Sequence, residues 1–234
     1  MQLDQITFTR FVAALTVVFF HYGNQAFPLN IPLLDNVLKA GPIAVNYFYL
    51  LSGFIMAIAY YRPNGINEKH AFNAKSYWWA RFARIYPVYL LAFLFIAVTK
   101  LKEPDIGTAL FLNASLLQSW FPNYALSLNS PGWSLSVEAF FYLCFPFLLA
   151  LIYRTGIKKI TLIGLALWLS TQVFHTFLLN SDAYQAKNSL HSFIYYNPLM
   201  HINAFILGII VGVVFKSPSK TIETLGKHST LGMI

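Results

Sequence analysis

Apolar runs alternate with short polar, proline or glycine breaks along most of the chain. Seven runs stand out, over residues 6–22, 43–61, 85–99, 106–121, 135–153, 160–179 and 193–215. Within each, apolar positions occupy nearly every face of a helix instead of one stripe, which is the pattern of a segment surrounded by lipid. A helix needs about 20 residues to span the hydrocarbon core of a bilayer. Most of the runs meet this, some by borrowing flanking residues. The fourth run is short and carries Asn113, Ser115, Gln118 and Ser119. The pattern predicts an all-α, polytopic membrane helical bundle of about six to seven transmembrane segments. There is no repeat, low-complexity tract or linker, so residues 1–234 read as one membrane domain.

Composition strengthens this reading. Of the 234 residues 57% are hydrophobic and only 10% charged, against about 25% charged in average proteins, and the mean hydropathy is +0.57. The net charge of +8 sits in short stretches between apolar runs, the distribution of cytoplasmic loops, and not in a nucleic-acid-binding face. Arg62, Lys69, Lys75, Arg81 and Arg84 precede the third run; Arg154, Lys158 and Lys159 follow the fifth; Lys216, Lys220 and Lys227 follow the seventh. Seven plain spans would put the middle cluster on the wrong side. A re-entrant fourth run puts all three on one side, with both termini cytoplasmic. The N-terminus lacks the basic region and small-residue cleavage site of a signal peptide, so the first run is expected to stay in the membrane. The single Cys144 excludes an internal disulfide and reads as packing. No metal-ligand cluster, phosphate loop or nucleophile elbow is visible, and no permanently bound cofactor or metal is expected.

Ionisable residues in apolar runs mark candidate chemistry, because the bilayer penalises them. Arg10 and His21 lie eleven residues apart, which places them on one helical face and about 16 Å apart along the axis. They cannot touch, but one long ligand can touch both. An acyl-coenzyme A, with phosphates at one end and a thioester at the other, has that shape. Arginine grips phosphate through its planar fork, and histidine titrates near neutrality as a base. The plain alternative is an arginine snorkelling to the interface and a histidine at the far end. Arg81 and Arg84, spaced i, i+3, serve either as an anchor in an aromatic belt or as an anion site. Glu138 is the one carboxylate within the seven runs, on a polar stripe with Ser134 and Tyr142. It reads as half of an ion pair or as an orienter or acid in a site. Ser52-Gly53 reads as close helix packing. His175 and His201 have no recognisable spacing to other ligands.

In their order these segments resemble the acyltransferase-3 family of membrane O-acyltransferases. The resemblance rests on Arg10 running to His21, on Gly41 through Ser52-Gly53-Phe54, and on Arg81-Phe82-Ala83-Arg84-Ile85-Tyr86-Pro87. It continues in Trp133-Ser134-Leu135 through Glu138 to Phe141-Tyr142, and in Asn197-Pro198 through Phe205-Ile206-Leu207-Gly208. It implies transfer of an acyl group, often acetyl, from cytoplasmic acetyl-CoA or another acyl-CoA to a hydroxyl of a glycan, lipid-linked glycan or other envelope acceptor. The setting it implies is the bacterial inner membrane, with membrane lipids and no nucleic acid as neighbours. By the same resemblance Arg10, His21 and Glu138 are the expected catalytic group, and Arg81 with Arg84 the expected donor-binding pair; direct transfer and an acyl-enzyme relay are equally open. Two departures stand out: His201 and Ala204 replace an arginine and a glutamate found in many members, and the C-terminal helices of the family are not matched. The rival readings are a truncated, non-catalytic membrane partner and a transporter.

Overall fold

In a computed structural model, residues 4–23, 39–63, 72–102 and 105–217 are described. They form α1 (Asp4–Tyr22), α2 (Gly41–Tyr60), α3 (Ala74–Thr99), α4 (Ile106–Ala114), α5 (Trp133–Thr155), α6 (Ile157–Leu179), α7 (Ser189–Tyr196) and α8 (Pro198–Lys216), with single 3-10 turns at Gln118–Trp120 and Ser130–Gly132. No strand occurs among the described residues. Five helical stretches are long and apolar enough to cross a membrane: α2, α3, Ser130–Thr155, α6 and Ser189–Lys216. α1 falls outside that group, since Asp4, Thr7, Thr9, Arg10, Thr16 and His21 dilute its 19 residues. Lys69, Lys220 and Lys227, and the last residues of the chain, lie outside the described residues.

The bundle is built on α2 and α8, whose backbones touch. A Cβ on Gly53 would sit 2.1 Å from the Phe205 carbonyl oxygen, and one on Gly208 would sit 1.9 Å from that of Leu50. Glycine at both positions lets the helices approach to van der Waals distance, the main source of attraction between helices when lipid is as apolar as the side chains. α5 packs against this pair through Phe141, stacked on Phe205 and edge-on to Tyr49. α1 runs antiparallel to α2: Phe20 lies against Gly41, and the Tyr47 hydroxyl donates to Thr9 Oγ1 at 2.5 Å.

The fourth apolar run does not span. α4 stops after nine residues, level with the middle of α3, where the Tyr89 hydroxyl donates to the Asn113 carbonyl and the Tyr86 hydroxyl to that of Ala114. The chain then returns to its starting side and leads into α5. Backbone broken inside a membrane must find partners within the protein. Ser136 Oγ donates to the Leu116 carbonyl, Gln118 Nε2 to that of Gly132, and Ser119 Oγ to that of Trp133. Of the polar residues that set this run apart in the sequence, Asn113 and Ser115 donate to carbonyls of α4, and Gln118 and Ser119 tie the turn to the start of α5.

With the fourth run re-entrant, the C-terminal ends of α2, α5 and α8 gather with the N-terminal ends of α3 and α6. Lys216 Nζ donates to the carbonyls of Ile58 and Tyr61, and the Arg62 amide donates to the Tyr153 hydroxyl. Arg62, Arg154, Lys158, Lys159 and Lys216 therefore share one end of the bundle. α3 begins at Ala74, eleven residues before its apolar run, so Arg81 and Arg84 lie within the helix and not in a loop before it. The seventh run is two helices: Pro198 cannot donate to the preceding turn and holds Asn197 extended, and Asn197 Oδ1 caps α8 by accepting from the Leu199 amide.

Candidate active site

Two cavities lie side by side along α1. The first, about 370 Å³, lies between α1, α2, α3 and α5. Arg10, Ser52, Arg84, Glu138 and Tyr142 reach it. Glu138 Oε1 accepts from Ser52 Oγ at 3.2 Å and from the Tyr142 hydroxyl at 2.5 Å. Two neutral hydroxyls, not a directly paired arginine, thus hold the carboxylate, while both arginines share its cavity. The stripe Ser134, Glu138 and Tyr142 faces this space along its whole length, as an i, i+4, i+8 register requires.

The second cavity, about 480 Å³, lies toward the opposite end of the bundle, among the C-terminal ends of α1 and α6 and the N-terminal end of α2. His21 lines it together with His175, His191 and His201. Val17, Val45 and Ser134 line both cavities, so the two adjoin. Arg10 reaches the first and His21 the second, from one unbroken helix. The structure therefore brings Arg10, Arg84 and Glu138 together and sets His21 apart from them, in the neighbouring cavity.

Arg81 takes a third position. It lines an apolar groove of about 400 Å³ on the other side of Tyr142, with Trp78, Phe82, Tyr86 and Leu143. Its guanidinium lies 5.9 Å from the ring centres of both Tyr77 and Tyr142, within cation–π range. Arg81 and Arg84 flank Tyr142 from two sides instead of lining one cavity.

The His21 cavity contains residues that sequence spacing could not collect. His201 is buried, with Nδ1 3.0 Å from Asn46 Oδ1 and Nε2 2.9 Å from the Tyr195 carbonyl oxygen. His175 Nε2 lies 3.2 Å from Met200 Sδ, and His191 Nδ1 lies 3.1 Å from the Tyr184 hydroxyl. Asn188 caps α7 by accepting from the His191 amide, which fixes the turn that aims His191 and Tyr195 inward. No group of three or more His, Cys, Asp or Glu among the described residues has metal-binding geometry.

Five helices long and apolar enough to cross a bilayer, with two adjoining cavities between them that carry polar side chains, define an integral membrane protein with an internal candidate site. The chain belongs to the acyltransferase-3 family, whose acyltransferase domain matches residues 3–226. It is similar to Acyltransferase MdmB of Streptomyces mycarofaciens, 29% identical over 93% of this chain and 58% of that protein. A putative acetyltransferase of Acidianus two-tailed virus is 27% identical over 95% of this chain and 61% of that protein. A putative O-acetyltransferase of Staphylococcus aureus strain COL is 23% identical over 88% and 34%. The chain thus spans about three-fifths or less of the length of these relatives. No solved structure matches it.

Proposed function

We propose that the chain is the catalytic bundle of a membrane O-acyltransferase that moves an acyl group, acetyl in the simplest case, from acyl-CoA to a hydroxyl of a glycan or other envelope acceptor. The observation that carries this reading is the pair of adjoining cavities with Arg10 reaching one and His21 the other from a single helix. The donor enters from the basic end, which is cytoplasmic in a bacterial inner membrane by the positive-inside rule. Arg10 and Arg84 hold its phosphates by charge-assisted hydrogen bonds, and Arg81 adds positive charge from the adjacent groove. The thioester extends past Ser134 toward His21.

At His21 the imidazole takes the proton of the acceptor hydroxyl as its oxygen attacks the thioester carbon. The O–C bond forms, the C–S bond breaks, and CoA leaves as a thiolate that recovers the proton from the imidazolium. A base is needed because an alcohol is a poor nucleophile at neutral pH. Glu138, held by Ser52 and Tyr142, orients Arg10 and Arg84 around the donor.

The test follows radiolabelled acetyl from acetyl-CoA into envelope material of cells carrying the chain. His21→Ala should lower transfer by about 10²–10⁴-fold, the range for loss of a general base, while acetyl-CoA still raises the melting temperature of the purified variant. Full transfer by His21→Ala refutes the base assignment; no stabilisation of the wild type by acetyl-CoA refutes the donor site.

A further inference from the structure

The second cavity differs from the first in chemistry as well as position. The first carries two arginines and a carboxylate. Among the described residues, the lining of the second has no Asp, Glu, Lys or Arg, and combines aromatic rings with neutral hydrogen-bonding groups. A charged ligand would find no counter-charge among these residues, which disfavours it in such surroundings. A neutral ligand that presents hydroxyls at its edge and C–H groups on its face meets no such penalty.

The rings are already arranged for such a ligand. Trp133 and Tyr196 have centroids 5.0 Å apart with planes 59° from each other, so their edges bound a corner of the cavity. His201 closes this corner from behind, 5.6 Å from the Trp133 ring, and is itself fixed by Asn46 and the Tyr195 carbonyl. The His191 ring lies over Tyr195 at 4.5 Å. Asn46, His191 and Ser134 offer donors and acceptors around the rim, and His21 lies on the α1 wall. The volume of about 480 Å³ falls within the range of small-molecule sites. An acyl chain would leave these polar groups without partners, which is unfavourable for each buried one.

We propose that this cavity is the acceptor subsite, and that Trp133 and Tyr196 form the platform on which the apolar face of a neutral hexopyranose ring stacks, with Asn46 and His191 as partners for its hydroxyls. The inference rests on the acyltransferase reading, because the acceptor hydroxyl must reach His21. Trp133 and Tyr196 are then residues that select the acceptor, and Asn46 is positioned for its role by His201.

Saturation-transfer difference NMR on the full chain in lipid nanodiscs tests this, with methyl β-D-glucopyranoside as the probe and no acyl-CoA present. The expected result is saturation strongest at the axial ring protons of one face, lost in Tyr196→Ala and weakened at least threefold in Trp133→Phe, which keeps a ring and the surrounding packing. Arg84→Ala should keep the sugar signal while losing stabilisation by acetyl-CoA. No saturation in the wild type, saturation confined to the methyl group, or a signal indifferent to both aromatic variants overturns the proposal. Because the sugar is measured without the donor, failure here leaves acetyl-CoA binding and acetyl transfer to be judged separately, whereas a sugar signal in a chain that transfers no acetyl group would overturn the acyltransferase reading and the acceptor role that rests on it.

Discussion

Glu138 shows how a carboxylate persists in an apolar helix. Its oxygen takes two hydroxyl hydrogen bonds, and two arginines across the cavity supply positive potential without desolvated contact. Glu138→Gln keeps an oxygen for Ser52 and Tyr142 but removes the charge. The expected outcome is a fold intact by thermal unfolding, tighter acetyl-CoA binding because repulsion of the phosphates falls, and slower transfer because Arg10 and Arg84 lose their orienting partner. Arg84→Ala should weaken acetyl-CoA by about 10–100-fold, the scale of one hydrogen bond to a charged group, and Arg81→Ala by less, since Arg81 lies beyond Tyr142; a binding titration of the two variants separates them. The sequence made Arg10, His21 and Glu138 conspicuous, because each breaks the rule that charge avoids lipid. It also made Ser134 and Tyr142 visible, through helical register. It did not expose Ser52 as a partner of Glu138, since the neighbouring Gly53 already accounts for that stretch as helix packing. Nor did it tie His201 to Asn46, which lies 155 residues away. Nothing local in either segment encodes that contact.

Among the helices, α2 and α8 carry the most exacting requirement. Any Cβ at Gly208 would meet the Leu50 carbonyl, and any at Gly53 the Phe205 carbonyl. These are backbone atoms, so no rotamer change relieves the clash and the helices must part. Gly208→Val should therefore destabilise the bundle by about 1–3 kcal/mol or more, the range for overpacking, and lower acetyl-CoA binding by shifting Ser52; thermal unfolding in detergent checks the first and ligand titration the second. Gly107, by contrast, has open space around its missing side chain, so Gly107→Ala should leave the melting temperature within about a degree, as expected for a site away from any packing constraint. Element positions were legible from hydropathy, but two boundaries were not. α3 extends eleven residues upstream of its apolar run and carries Arg81 and Arg84 to the edges of two separate spaces beside Tyr142. The last run divides at Asn197-Pro198, where the Asn197 cap and the missing proline N–H outweigh continuous hydropathy.

The whole molecule turns on the fourth run, because its re-entry decides which ends of the other helices share a face. Counting seven plain spans places residues 100–102 and 121–130 on opposite sides. The half-span places them on one side, with Arg154, Lys158 and Lys159 on the other. The hydrogen bonds from Tyr86 and Tyr89 to the end of α4, and those from Gln118 and Ser119 back to the start of α5, are the physical basis for the second arrangement. The charge clusters in the sequence pointed the same way, since only a re-entrant segment gathers them together. Single cysteines on a Cys144→Ser background test it. Lys102, Asn123 and Lys159 are exposed, and the thiol in each replacement is accessible to a membrane-impermeant maleimide applied to intact cells from one side only. Lys102→Cys and Asn123→Cys should label from outside, and Lys159→Cys only after the membrane is opened. Opposite labelling of positions 102 and 123 would make the fourth run a full span. It would also place Arg154, Lys158 and Lys159 on the opposite face from Arg62.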